Sequence, residues 1–494
     1  MRAQKSIVLV TVDCLRADHV GFMGYERPTT PFLDSLASDS FVVPAAIVAG
    51  APTYYSFPAI LGSRHSLALG RDVLGLAPGE SSLATVLKQA GYATAAISAA
   101  NPYLSSQFGY DQGFDEFRDY LSDERAPSSA DAVIRSPNGW ASRFNSKLQA
   151  IRPAMGPFGV FYDEFYFRYC QRVTPEQSID ALRPYPTADV IVDQACTWLS
   201  SIGDKPFFLW LHLMDPHAPY YPKEEALALM GHSPVSPSRA RYLNSYWNRS
   251  DLGPSRLARH REEIETLYDA GIRWVDEQMA KFIDTLRKCG LWDDCIFALT
   301  ADHGEEFLDH GGRFHPPSRL MEELIHVPLL LRVPGNAKKE VGKSPFSLLD
   351  LAPTLLDAAQ LSSPEEFHGR SRWNDLSSGQ SFEDMAISEC VAGCTNPFRR
   401  DGRLGPRVLS VREARFKLTL QFDPLSEQLY DLEADPGEHA PLAPTAQMAV
   451  RRRILEVARE HLQRSCGQRD ERKRLRACVR DLQLEWTRPI PQRL

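Results

Sequence analysis

Long apolar runs are missing from this 494-residue sequence. No window approaches the ~18 consecutive apolar residues that a membrane-spanning helix needs. The first apolar segment begins at Ile7, and it is too short for the apolar region of a secretory signal peptide. We therefore expect no membrane span, and we predict a cytoplasmic protein.

Cysteine is scarce and dispersed. The nine cysteines are an odd number, and a disulfide framework is unusual in a chain of this length without an export signal. Cys390 and Cys394 lie four positions apart, but no second pair with zinc-site spacing accompanies them. We expect free thiols, and a structural zinc at this pair is the less favoured alternative.

Charge of one sign is not in strong excess. The net charge of −7 gives no reason to expect nucleic acid as a partner. The 43% hydrophobic and 24% charged content is typical of a folded enzyme. The chain is too long to form a single small hydrophobic core, so we expect one large domain and one smaller domain.

Apolar segments that suit buried strands alternate with segments that have one apolar face and suit helices. Helices are predicted at 30–38, 81–90, 188–199 and 264–289, and strands at 7–12, 92–98, 206–213 and 295–300. This order predicts an α/β fold with a large, mostly parallel sheet flanked by helices.

The amino-acid composition and the predicted secondary structure change along the chain. We predict a catalytic α/β domain over 1–360 with insertions at about 121–186 and 231–260, a smaller C-terminal α+β subdomain over 361–445, and a basic helical tail over 446–494. The first insertion is rich in aromatic residues, for which packing against the main domain is favoured over a lid above the substrate. Short antiparallel strands are predicted at 408–410 and 416–421.

The tail is basic. From residue 451 onward it has 13 Arg or Lys against 6 Asp or Glu, and its apolar residues have helical spacing. We expect a solvated helix that docks on the body of the protein. An anionic partner, or a homo-oligomer contact through the tail, is the alternative.

Acidic side chains follow three of the predicted strands. Asp13 follows the first strand, Asp215 follows the strand at 206–213, and Asp302 with His303 follows the strand at 295–300. Ligands of open α/β sheets bind beyond the carboxyl ends of the strands. Several buried carboxylates need a partner, and Asp with His suits Mn²⁺, Mg²⁺ or Zn²⁺. Alone, each segment also fits a helix cap.

Motif blocks follow one another in a fixed order. The blocks are 11–19 (TVDCLRADH), 29–34 (TTPFLD), 267–270 (LYDA), 300–306 (TADHGEE), 325–329 (IHVPL), 350–356 (DLAPTLL) and 429–432 (LYDL). They resemble those of the sulfatase-like hydrolases in the alkaline phosphatase superfamily. The resemblance spans roughly 6–445 without the insertions. It implies an alkaline phosphatase/sulfatase-like fold and a metal-dependent hydrolase.

The resemblance also implies a ligand set. It assigns the metal ligands to Asp13, Thr53, Asp302 and His303, with one divalent ion: Mn, Zn, Mg or Ca. Many members carry a second Asp beside the first, where this sequence has Cys14. In this respect the sequence is similar to the phosphoesterase-type members.

The nucleophile position departs from the family pattern. Sulfatases carry Cys-x-Pro-Ser-Arg, whose cysteine becomes formylglycine, whereas here Thr53 takes the cysteine position and the Pro and Arg are missing. No formylglycine is expected. A threonine ester cannot collapse to an aldehyde, so it needs a second attack at the central atom, as in phosphoryl transfer. Ser56, one turn along, is a rival nucleophile, and Thr53 as a simple helix cap is the other alternative.

Three histidines and one arginine complete the predicted site. His217 lies in 216–220 (PHAPY), which resembles a block whose histidine contacts the substrate or protonates the leaving oxygen. His310 and His315 lie where relatives place a Lys or His near the oxyanion. Arg16 is predicted to bind substrate as well. An ordinary hydrogen-bonded histidine is the alternative for each of the three.

The predicted function is hydrolysis of a small anionic phosphate or phosphonate ester through a covalent Thr53 intermediate. The alternatives are sulfuric ester hydrolysis, transfer to an alcohol acceptor, a two-metal phosphodiesterase, and a catalytically inactive binding protein. The two-metal alternative is less favoured, because it normally needs Asp-x-x-x-His and Asp215 and His217 are only two positions apart.

Overall fold

The computed structural model describes residues 4–68, 75–121, 164–165, 167–172, 174, 177–336, 341–380, 384–399, 405–422 and 424–464. Its strands are β1 (Ser6–Val12), β2 (Phe41–Val42), β3 (Ala46–Ile47), β4 (Ala93–Ser98), β5 (Glu116–Arg118), β6 (Phe207–Leu213), β7 (Cys295–Ala301), β8 (Glu306–Phe307), β9 (Arg313–Phe314), β10 (His326–Val327), β11 (Leu329–Arg332), β12 (Phe346–Ser347), β13 (Met385–Val391), β14 (Arg407–Glu413), β15 (Phe416–Gln421) and β16 (Ser426–Asp431). Its α-helices are α1 (Pro31–Ala37), α2 (Thr53–Gly62), α3 (Leu83–Gln89), α4 (Ile179–Leu182), α5 (Ala188–Leu199), α6 (Glu224–Leu229), α7 (Pro237–Trp247), α8 (Pro254–Leu257), α9 (Arg261–Lys288), α10 (Glu322–Ile325), α11 (Leu351–Ala358) and α12 (Trp373–Ser378).

A seven-stranded sheet organises the main body in the order β2-β11-β7-β1-β6-β4-β5. The pairs among β7, β1, β6, β4 and β5 are parallel, whereas β11 runs antiparallel to β7 and β2 runs antiparallel to β11. The predicted large, mostly parallel sheet is confirmed.

The central strand brings the candidate ligands together. Val12, the last residue of β1, lies opposite Leu213 of β6 and Ala301 of β7. Because these strands are parallel, the residues that follow them emerge at one edge of the sheet. Asp13 and Asp302 therefore emerge side by side.

The helices pack against the sheet and against one another in two groups. The long helix α9 contacts α1, α5, α6 and α7, while α11 contacts α2, α3 and α12. The predicted helix at 188–199 and the strand at 206–213 match α5 and β6 within one residue at either end. The helix predicted at 81–90 begins later, at Leu83, because Ser82 and Thr85 form a capping box.

A second, antiparallel sheet lies in the C-terminal part, in the order β13-β14-β15-β16. Residues 448–464 are helical and are called the tail helix below. Ile454 and Ala458 of the tail helix are buried with Leu409, Val411 and Leu429 of this sheet. The smaller C-terminal subdomain is thus confirmed. The described part of the predicted tail is helical and packs on this sheet, whereas residues 465–494 lie outside the described residues. The exact domain boundaries stay predictions.

Most of the aromatic insertion lies outside the described residues. Within the part that the structure does describe, Phe167 is buried, with its ring centroid 5.5 Å from that of Tyr242 and 6.0 Å from that of Tyr246. This residue packs against the second predicted insertion, which contains α7 and α8.

Among the described helices, none combines the length and apolar character needed to cross a membrane. The seven cysteines in the described ranges, Cys390 and Cys394 among them, are free thiols, as expected.

Candidate active site

Two carboxylates and one imidazole meet at the carboxyl edge of the large sheet. Asp13 follows β1, and Asp302 and His303 follow β7; all three are fully buried. Nε2 of His303 lies 3.6 Å from Oδ1 of Asp13 and 3.6 Å from Oδ2 of Asp302. The structure therefore brings together three of the four predicted ligands through two neighbouring parallel strands.

Thr53 is the fourth member of this group. It is the first residue of α2, and its Oγ1 lies 3.2 Å from Nε2 of His303. The residue at the capping position is Pro52, so the Thr53 side chain is not the helix cap. The hydroxyl of Ser56 instead donates to the backbone oxygen of Thr53 at 3.1 Å. The Thr53 side chain, and not that of Ser56, bonds the histidine.

The group has the donor chemistry of a divalent-cation site. Nδ1 of His303 donates to the backbone oxygen of Gly304 at 2.8 Å, so Nε2 presents its lone pair to the carboxylates. Oδ2 of Asp302 is buried without a hydrogen-bond partner among the described residues. A buried carboxylate oxygen without a partner is costly, and a cation would satisfy it. These residues fit the predicted ion.

The charges at the group are strongly coupled. Burial raises the pKa of Asp302, and the neighbouring negative charge of Asp13 raises it further. Burial also acts to raise the pKa of Asp13, but its interactions with His217, His212 and His303 outweigh it and hold that pKa below its usual value. One carboxyl thus stays ionised while the other needs an added positive charge, which a bound cation supplies.

Two further side chains hold Asp13, and the sequence alone did not single them out. Nδ2 of Asn101 donates to Oδ2 of Asp13 at 2.8 Å, and Nε2 of His212 lies 3.5 Å from the same oxygen. Asn101 follows β4 at the edge where the other strands end, so the strand-end rule would have found it. His212 stands out as a histidine in the otherwise apolar strand β6.

A second cluster of side chains lies next to the first. Sγ of Cys14 lies 3.2 Å from Oδ1 of Asp13 and 3.5 Å from Nδ1 of His315. The His315 ring centroid lies 4.6 Å from that of His303 and 5.1 Å from that of His217. Cys14, His217 and His315 offer ligand atoms within 4.8 Å of one another. The structure therefore places His217 and His315 next to the candidate ligands, and their roles stay predictions.

Glu305 orients His315. Its Oε1 lies 3.2 Å from Nδ1 of His315, and its Oε2 accepts a hydrogen bond from the Tyr220 hydroxyl at 3.1 Å. Burial lowers the pKa of His315 although Glu305 acts in the opposite direction. The sequence analysis overlooked Glu305, although it lies in the TADHGEE block.

Arg16 and His310 form their contacts away from the four candidate metal ligands. The guanidinium of Arg16 forms ion pairs with Asp18 at 2.8 Å and Asp309 at 3.0 Å. Nδ1 of His310 pairs with Glu323 at 2.7 Å, and its Nε2 pairs with the backbone oxygen of Glu438. Neither residue has a hydrogen bond or ion pair with Asp13, Thr53, Asp302 or His303, all of which the structure describes. Both cations are engaged by protein carboxylates, and their role in substrate binding stays a prediction.

Asp215 has a structural partner instead of a metal. Both of its carboxylate oxygens accept from the backbone N–H of Ala188, the first residue of α5, at 3.2 and 3.0 Å. Burial raises its pKa to about 7. The third strand-end carboxylate thus satisfies the start of a helix, as such residues often do.

Comparison with known proteins agrees with this geometry. The sulfatase family model matches residues 5–361. The chain belongs to the sulfatase family. Residues 313–464 also match the model of the N-sulphoglucosamine sulphohydrolase C-terminal region. Members of this family depend on a metal ion, in keeping with the groups of ligating side chains here.

Individual relatives of this sulfatase-family chain differ in what they act on. An arylsulfatase of Clostridium perfringens is 25% identical over 470 residues, which cover 88% of this chain and 89% of that protein. A protein solved with its substrate D-glucosamine-2-N,6-O-disulfate has a TM-score of 0.64 at 17% identity, covering 94% of this chain and 98% of that one. The phosphonate monoester hydrolase of Silicibacter pomeroyi has a TM-score of 0.64 at 20% identity, covering 94% and 96%. These two structures share the fold.

Proposed function

We propose that this sulfatase-family hydrolase cleaves small phosphate or phosphonate esters, with Thr53 as the nucleophile, in the cytoplasm. The proposal is carried by the position of the Thr53 hydroxyl, 3.2 Å from Nε2 of His303. Asp13 and Asp302 lie beside the same nitrogen. A hydroxyl that lies within hydrogen-bond distance of an imidazole and close to two carboxylates is a candidate nucleophile.

The same four residues, Asp13, Thr53, Asp302 and His303, would hold one divalent ion. When bound, such an ion lowers the pKa of a hydroxyl and offsets negative charge on an ester. The position of Thr53 adds to this effect. As the first residue of α2 it lies at the positive end of the helix dipole, where the first backbone N–H groups lack helical partners.

The reaction has two displacement steps. In the first, Oγ1 of Thr53 releases its proton to solvent water and forms a bond to phosphorus, while the ester P–O bond breaks. The departing oxygen takes a proton from a histidine. In the second step a water oxygen forms a bond to phosphorus and gives a proton back to that histidine, while the bond between phosphorus and Oγ1 of Thr53 breaks. Oγ1 takes up a proton from solvent water, and phosphate or phosphonate is released.

His217 is the proposed proton donor to the departing oxygen. Its Nδ1 pairs with the backbone oxygen of Ala218, which orients the ring. His315, which Glu305 orients and whose pKa is lowered by burial, is proposed to contact the oxygen of the ester group instead. With the two rings 5.1 Å apart, both can reach one substrate.

Phosphorus is favoured over sulfur by the chemistry of threonine. A formylglycine hydrate expels sulfate by forming an aldehyde, and a threonine has no such exit. A threonine ester must undergo a second displacement at the central atom, which is the ordinary route for phosphoryl groups. Phosphonate monoester hydrolases of Agrobacterium radiobacter and Silicibacter pomeroyi are among the structural neighbours of this chain.

Hydrolysis of sulfate esters is the second candidate. The arylsulfatase of Clostridium perfringens, which aligns over most of the chain, favours it. Transfer to an alcohol acceptor would use the same Thr53 intermediate, with an alcohol in place of water.

A matched substrate panel tests the proposal. The purified enzyme, loaded in turn with Mn²⁺, Zn²⁺, Mg²⁺ or Ca²⁺, is given p-nitrophenyl phosphate, phenylphosphonate, phosphodiester and sulfate, so that the departing group is constant. We expect the highest kcat/KM on a phosphorus ester and a loss in Thr53→Ala. Turnover of the sulfate alone would overturn the choice of phosphorus. Equal turnover by Thr53→Ala would overturn the nucleophile.

A further inference from the structure

A buried cluster of two histidines and one glutamate lies outside the candidate active site. His65 follows α2, Glu389 lies in β13, and His461 lies in the tail helix. Their ligand atoms all lie within 4.8 Å of one another. The three side chains come from segments far apart in the chain, and they share no residue with the Asp13 and Thr53 group.

The cluster is closely packed. Nε2 of His461 lies 3.0 Å from Oε2 of Glu389, and the ring centroids of His65 and His461 are 4.6 Å apart at 68°. The relative exposures of His65, Glu389 and His461 are 6%, 1% and 7%. Ionisable side chains are seldom buried to this degree without a specific partner.

Two polar atoms of the cluster lack a partner. Nδ1 of His65 and Oε1 of Glu389 are buried without a hydrogen bond to any described residue. Native structures leave few such atoms unsatisfied, so each calls for an explanation. One ligand between the three side chains would satisfy both atoms.

The donor types suit a cation. Imidazole nitrogens and a carboxylate oxygen are ligand atoms that divalent transition metals take in proteins, and they bind as neutral imidazole and ionised carboxylate.

Arg407 is the neighbouring cation. Its Nη1 lies 3.5 Å from Oε2 of Glu389, and its Nη2 lies 3.5 Å from the backbone oxygen of Leu67. The guanidinium thus pairs with the oxygen that His461 also contacts. Oε1 of Glu389, the oxygen without a partner, stays available for another ion.

We propose that His65, Glu389 and His461 form a structural site for a divalent transition metal, with Zn²⁺ as the ion of best fit. Two imidazoles and one carboxylate are ligands that Zn²⁺ takes, and a water would complete a tetrahedral set. The site is separate from the proposed catalytic ion.

The fold gives this site a role. His461 lies on the same face of the tail helix as Ile454 and Ala458, which pack on the C-terminal sheet. A metal held by His65, Glu389 and His461 ties the tail helix to strand β13 and to the segment that leads out of α2. It therefore joins the tail to the helix that carries Thr53.

Cobalt binding to the full-length chain tests this site apart from the active site. The double variant Asp13→Asn with Asp302→Asn serves as background, because it removes two candidate ligands of the catalytic ion and leaves the cluster intact. After removal of metal with a chelator, this background is titrated with Co²⁺, and the visible absorption bands are followed. We expect about one equivalent per chain, with the intense bands of a tetrahedral ion.

Adding His461→Gln or His65→Gln to the background should reduce bound Co²⁺ to less than about a fifth of an equivalent and remove the bands. His368→Gln is the matched control. This exposed neighbour pairs through its backbone with Ser63 and belongs to no ligand group among the described residues, so the control should bind like the background. Circular dichroism checks that each variant is folded.

A background that binds no Co²⁺ would overturn the site directly, whether or not the other variants fold. Unchanged binding in both His461→Gln and His65→Gln would overturn it as well and would leave a hydrogen-bonded cluster. The wild-type chain should hold one equivalent more than the background if the catalytic ion is also bound. If only the catalytic ion is absent, the wild-type chain and the background bind one equivalent each. If only the proposed structural ion is absent, the wild-type chain binds one equivalent and the background binds none.

Discussion

Oγ1 of Thr53 lies 3.2 Å from Nε2 of His303, although 250 positions separate the two residues in the chain. The start of α2 and the end of β7 converge there, and Asp13 arrives from β1 beside them. A hydroxyl, an imidazole and two carboxylates thus lie next to one another in one buried region at the edge of the sheet.

The first prediction concerns Thr53. Thr53→Ala removes the attacking oxygen, so kcat/KM should fall by several orders of magnitude, as for a nucleophile that acts within a unit. Thr53→Ser keeps the oxygen and should retain measurable turnover. Acid quench during turnover, followed by peptide mapping, should place phosphate on Thr53 when the second step limits the rate.

Ser56→Ala is the control for that prediction. Its hydroxyl donates to the backbone oxygen of Thr53, so the expected loss is about 0.5–1.5 kcal/mol of stability with turnover largely kept. If Ser56→Ala abolished activity and Thr53→Ala did not, Ser56 would be the nucleophile and the assignment of Thr53 would be wrong.

The second prediction concerns Asp302→Asn. Its Oδ2 is buried without a hydrogen bond to any residue that the structure describes, and the pKa of Asp302 is raised by burial and by Asp13. The neutral amide relieves that repulsion, so the fold should persist while the catalytic ion and the activity are lost. Elemental analysis, kinetics and circular dichroism check this. An active variant with full metal content would end the assignment of Asp302 as a ligand.

The third prediction is the absence of formylglycine. Thr53 occupies the position of the modified cysteine, and the Pro and Arg of the maturation motif are replaced by Tyr55 and Phe57. Mass spectrometry of the resting enzyme should find the peptide with Thr53 unmodified. An aldehyde at any cysteine would contradict the prediction and restore a sulfatase mechanism.

The fourth prediction concerns Asn101, which holds Asp13 through a 2.8 Å hydrogen bond. Asn101→Ala should lower metal affinity or kcat/KM by about 10- to 100-fold, as expected for a group that orients a ligand. Gln112→Ala is a suitable control, because the Gln112 side chain bonds Gly79, Ala77 and Gly109. Excess metal should rescue Asn101→Ala in part, and no change in metal affinity or kcat/KM would contradict the role.

The fifth prediction is a pH dependence of stability. The hydrogen bond that His310 donates to Glu323 raises the pKa of His310 to about 9. A raised pKa in the folded state gives stability that is fully present below the unfolded value of about 6.5 and lost as the pH rises to about 9. His310→Gln should therefore destabilise the protein most below pH 6.5 and least above pH 9.

Denaturant unfolding of both proteins from pH 6 to 9.5 measures that difference. Glu323→Gln should show the same trend, since it removes the other partner of the pair. A destabilisation by His310→Gln that stayed constant over this range would contradict the assigned cause.

Much of the fold could be predicted from local patterns. Strand β1 is apolar apart from Ser6 and Thr11, and α9 keeps an apolar face until its final residues, so the hydrophobic pattern alone found both. The ordered blocks around Asp13 and Asp302 identified the family. Residues that only orient another side chain of the site were harder to predict from the sequence. Glu305 and Asn101 matter because of what they touch, and those contacts depend on strand order.

The sequence by itself determined the family, the candidate ligands Asp13, Asp302 and His303, and the replacement of the family cysteine by Thr53. Each of these depends on residue type and order along the chain. Only the tertiary structure decided that Arg16 and His310 are engaged by carboxylates, that Asp215 satisfies a helix start, and that His65 meets His461. The reason is physical: burial and pairing depend on which segments pack together, and residues far apart in the chain become neighbours only when the sheet and its helices have formed.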